Sequence, residues 1–151
     1  MAKFNFEMQS ILTFKEQIER QKEMEFAKIL KMVNDEKEKL NSFYRQKDIS
    51  IKNLKNEASS DRLKYTEFKA LNNYIEHLKN SIERQKDVIM KAEILLEQKR
   101  QNLIEATKER KMLDKLKENK FEDYIAEEKQ TEQKIIDEIV SYKQANKVEV
   151  S

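Results

Sequence analysis

The chain has no glycine, no proline, no cysteine and no tryptophan in 151 residues. Average usage would supply roughly ten glycines and about seven prolines, so the residues that make tight turns and stop helices are missing. Few changes of chain direction are expected. Without glycine there is no phosphate-cradling loop of the Walker or Rossmann kind, and nucleotide binding or ATP hydrolysis in those ways is not expected. Without cysteine, disulfides, thiolate metal sites and thiol chemistry are excluded, in keeping with a reducing cytoplasm. No run approaches the 18 apolar residues of a membrane span, and MAKFNFEMQS lacks the continuous apolar core of a signal peptide. The reading is a cytoplasmic protein with no direct membrane insertion.

What is present is charge and a narrow apolar stripe. Charged residues make up 40% and apolar residues 38%, with 31 Lys and Arg against 29 Asp and Glu, a formal charge of +2. That balance suits solvated helices better than a wide core or a nucleic-acid binder. In the first half Phe4, Phe6, Ile11, Phe14, Ile18, Ile29, Val33, Leu40, Phe43, Ile51, Leu54 and Ala58 recur at helical spacing, faltering near Gln21, Glu25 and Phe26. In the second half Ile75, Leu78, Ile82, Gln85, Ile89, Ala92, Leu96, Lys99, Leu103, Ala106, Arg110 and Leu113 alternate steps of three and four, a sustained heptad. Beyond Leu113 the phase drifts through Lys117, Phe121 and Ile125 and resumes at Ile135, Ile139 and Tyr142, which resembles a stutter.

Asn56 to Asp61 is the densest cluster of cap and turn formers, so the bend is placed at about 56–61, with Asn56 left-handed and Ser60 or Asp61 capping the next helix. Asn72-Asn73 is the rival, but a bend there would waste the Leu71–Leu78 stripe. The fold class is therefore all-α: one long antiparallel two-helix coiled-coil hairpin spanning 1–151. Helix 1 is expected over about 5–56, helix 2 over about 62–142, with a frayed tail at 143–151. Unequal arms set Ile11 opposite the region of Ala106 and leave the second helix uncovered beyond about residue 115.

Candidate chemical sites have plain structural readings. His77 has neither Cys nor a second His to share a metal. Glu127 with Glu128, and Asp137 with Glu138, point apart on a helix and read as solvated charges. Lys108 to Lys120 is basic but mixed with acids, favouring contact with an acidic protein surface over nucleic acid. No catalytic residue, cofactor or metal is expected.

Three segments in order, KFNFEMQSILTFKEQ, YIEHLKNSIERQKDVI and EQKRQNLIEATKERKMLDKLKE followed by EQKIIDEI, resemble the FliJ family of the bacterial flagellar type III export apparatus. The resemblance implies a hairpin like the stalk of the rotary-ATPase γ subunit, without enzymatic activity. It implies that the stalk binds the hexameric flagellar export ATPase, the export gate membrane protein and export chaperones, peripherally at the inner face of the cell membrane. The family's gate-binding positions correspond to Tyr74, Leu78, Ser81 and Gln85; the first two keep apolar character and the last two are more polar. The ATPase-binding end would comprise Phe4, Phe6, Leu12, Phe121, Ile125, Ile135 and Ile139. A virulence type III secretion stalk and a generic coiled-coil scaffold or chaperone are the alternatives.

Overall fold

The computed structural model describes residues 3–59 and 65–150. Helix α1 spans Gln9–Ala58 and helix α2 spans Tyr65–Val150, and the two pack against each other as an all-α hairpin. With no glycine or proline inside them, 50- and 86-residue helices run without an interior stop.

Both ends differ from expectation. α1 starts at Gln9 and not near residue 5: the Phe6 carbonyl accepts the Gln9 N–H at 3.0 Å, and residues 3–6 lie outside any helix. α2 continues to Val150, past the expected end near 142. Asn56 is helical, and among the described residues no non-glycine has positive φ. The helix runs to Ala58, where the Ser59 hydroxyl donates to the Asn56 carbonyl at 2.8 Å, so no left-handed residue is needed at position 56. Ser60 and Asp61 lie outside the described residues.

The chain divides into two compact units. One comprises residues 20–105. Here the α2 seam is as read: Ile75, Leu78, Ile82, Gln85, Ile89 and Ala92 are buried. From α1 come Val33 and Ser50, with Phe26, Ile29, Glu36, Leu40, Phe43 and Leu54 half-buried. The other unit comprises residues 1–19 and 106–151, where Phe6, Leu12 and Ala106 are buried.

One correction concerns the phase of α1. Ile11 and Phe14 are exposed, and Leu12 is 1% exposed. Leu12, Glu19, Phe26, Val33, Leu40 and Leu54 share one heptad phase, whereas Ile11, Phe14, Ile18 and Ile51 sit off it. A straight helix presents one phase to its partner, and the residues from Phe26 onward outvote the first two turns.

The opposition of the helices is shifted as well. Lys117 Nζ donates to Gln9 Oε1 at 2.7 Å and Phe4 lies on Phe121, so α1 reaches farther along α2 than the Ile11–Ala106 pairing allowed. α1 ends at Ala58 and α2 begins at Tyr65, each a few residues later than expected.

Candidate docking surfaces

Polar residues interrupt the α2 seam at three places, and at each one α1 supplies a complementary group. Gln85, 5% exposed, donates Nε2 to the Glu36 carbonyl at 2.9 Å and to the Glu36 carboxylate. Lys99 Nζ pairs with Glu25 at 3.4 Å. Arg110 Nε donates to Glu19 at 2.8 Å while its other nitrogen reaches Asp114 at 2.5 Å. The hydrogen bond that Arg110 donates to Glu19, then that to Asp114, holds the guanidinium above its ordinary pKa. Outside the seam, Lys15–Glu109 at 2.7 Å and Lys37–Glu93 at 3.1 Å add bridges between the helices. Charge pairing of this kind selects register, although exposed pairs contribute only about 0–1 kcal/mol each.

The four positions matched to a gate-binding face separate into two groups. Leu78 is 3% exposed and Gln85 is hydrogen bonded to α1, so both belong to the seam of the 20–105 unit. Tyr74 is 44% exposed and Ser81 half-buried; seven residues apart, they lie along one flank of the seam. The same flank continues through exposed Val88 and half-buried Leu95. Sequence reading passed over these two because it followed the seam. A seven-residue recurrence of Tyr, Ser, Val and Leu beside it was the available signal.

The positions matched to an ATPase-binding end also separate. The Phe4 ring meets Phe121 edge-on at 5.2 Å and lies 5.6 Å from Tyr124; Phe6 and Leu12 are buried. Residues before α1 therefore cap the α2 seam with aromatic contacts, to which Tyr124 contributes although the sequence reading did not single it out. Ile125, Ile135 and Ile139 are exposed, as are Ile136, Val140 and Tyr142. Every residue from 129 to 148 is exposed, a run of about 30 Å at helical rise. The uncovered part of α2 begins there and not near residue 115.

Three residues of the basic run are engaged within their own unit: Arg110 holds Glu19 and Asp114, Lys115 pairs with Glu118 at 3.5 Å, and Lys117 bonds Gln9. His77 is exposed. Among the described residues there is no cluster of three or more His, Cys, Asp or Glu placed to hold a metal ion, and no helix is long and apolar enough to cross a membrane.

An all-α helical hairpin whose longer helix keeps an apolar face beyond its partner defines the class of this protein. Residues 4–149 match the family described as flagellar FliJ protein, and the chain belongs to that family. It is a flagellar export-associated protein. No curated protein and no solved structure matches the chain.

Proposed function

We propose that this protein is a non-enzymatic stalk and adaptor of flagellar export, whose α2 segment beyond about residue 125 docks the hexameric export ATPase. The exposed apolar face at Ile135, Ile136, Ile139 and Val140 carries this reading. Soluble proteins seldom leave such residues together in water unless a partner covers them. Phe4 holds the root of the segment through Phe121 and Tyr124, and Phe6 and Leu12 are buried in the same unit. An asymmetric helix in a symmetric ring contacts the subunits unequally and so favours one arrangement of them, which promotes assembly or turnover without touching nucleotide.

The family also suggests contact with the export gate and with chaperones, at the inner face of the membrane. In this reading Tyr74 and Ser81 meet the gate along the flank that continues to Val88, while Leu78 and Gln85 hold α1 beneath them. Tyr74→Ala should weaken gate binding with helicity intact, whereas Leu78→Ala should cost stability first. Gate affinity unchanged in Tyr74→Ala would remove the assignment.

The test of the ATPase reading is a chain truncated after Glu128, mixed with the export ATPase and assayed for hexamer assembly and ATP hydrolysis. Stimulation should be lost with the hairpin still folded. Full stimulation by the truncated chain would refute the reading.

A further inference from the structure

The α2 seam continues beyond the stretch that α1 and Phe4 cover. Phe121, Ile125, Glu128, Glu132, Ile135, Ile139, Tyr142 and Asn146 alternate steps of four and three, so the open face continues a heptad beyond the stretch that Phe4 covers. Charge changes sign over the same stretch. From Glu122 to Glu138 there are seven acidic and two basic residues, a formal −5 in a chain of +2. Glu128 and Glu132 stand one turn apart in the seam itself, where like charges repel. No ion pair among the described residues reaches either of them.

Within the hairpin, a polar residue in the α2 seam is met by a complementary group on the opposing helix: Glu36 for Gln85, Glu25 for Lys99, Glu19 for Arg110. We infer that the open face takes a helix of the partner protein that continues the seam beyond α1 and carries Lys or Arg opposite Glu128 and Glu132. The apolar part of that helix lies on Ile135, Ile139 and Tyr142. A second copy of this chain does not meet the requirement. Antiparallel pairing of Ile135 on Ile139 sets Glu132 against Tyr142, Glu128 against Asn146 and Lys129 against Lys143, and parallel pairing sets each glutamate against itself. The inference rests on the proposed docking of the export ATPase and specifies the chemistry of the docking surface.

The experiment titrates the purified export ATPase hexamer into the full chain at low and high salt. Glu128→Lys with Glu132→Lys should lower affinity at least about tenfold at low salt, and the double Gln variant should lower it less and flatten the salt dependence. Glu132 is exposed and Glu128 half-buried beside the residues that precede α1, and unchanged helicity confirms that folding is not the cause. Binding within about twofold of the parent, with the same salt dependence, overturns the inference. The chain truncated after Glu128 separates the two readings. If truncation abolishes binding and the charge reversal does not, the charged seam is wrong and ATPase docking stands; if truncation leaves binding intact, both fail. A dimer of the free chain in sedimentation, lost on Ile135→Asp with Ile139→Asp, would instead assign the face to a second copy and contradict the inference.

Discussion

Residues 75–106 and 129–148 of α2 belong to one helix and share heptad spacing, yet they differ in what the spacing accomplishes. In the first stretch Ile75, Leu78, Ile82, Ile89, Ala92 and Ala106 are buried, and every polar interruption is answered from α1. In the second, Ile135, Ile136 and Ile139 are each about half exposed and no α1 residue reaches them. A heptad marks a face suited to pairing, and of these two stretches only the first is paired with α1. The paired stretch carries stability. The unpaired one is free to spend its apolar surface on a partner.

Breaking the comparison should therefore give unequal costs. Leu78→Ala removes a nearly fully buried side chain and should cost about 2–4 kcal/mol, and Leu12→Ala should cost a similar amount, read from urea midpoints. Arg110→Ala leaves the Glu19 carboxylate, only 13% exposed, without its partner and should cost about 1–2 kcal/mol in the same assay. Lys99→Leu should act in the opposite sense: it trades an ion pair at 3.4 Å for apolar contact and should raise the melting temperature by about 2–4 °C. Unchanged melting would mean that the Lys99 stem already fills its place in the seam. Ile139→Ala, in the open stretch, should shift stability by less than about 0.5 kcal/mol. A loss there as large as that of Leu78→Ala would mean that the open face is covered within the free protein.

The α2 seam was legible from the sequence because steps of three and four persist from Ile75 to Leu113 without a competing pattern. The phase of α1 was not, since Ile11, Phe14 and Ile18 form a plausible stripe of their own. The burial of Leu12, with Glu19 brought to Arg110, shows that the neighbouring phase faces α2. Apolarity was a weaker guide there than complementary charge. The same lesson applies to the candidate sites. Tyr74 and Leu78 are four residues apart and look like one surface in sequence, but Leu78 is consumed by the hairpin. Ile135 and Ile139 carry the same spacing and remain exposed. In the basic run at Lys108–Lys120, Arg110, Lys115 and Lys117 are bonded to Glu19, Asp114, Glu118 and Gln9, while Lys108, Lys111 and Lys120 are exposed.

Amide hydrogen exchange along α2, measured on the full chain alone and with the export ATPase hexamer, tests the distinction most directly. In the free protein the amides of 75–106 should exchange far more slowly than those of 129–148, whose backbone bonds open without disturbing any buried side chain. Adding the ATPase should slow exchange in 129–148 and leave 75–106 unchanged. Equal protection of the two stretches in the free protein, or ATPase-induced protection that misses 129–148, would contradict the account.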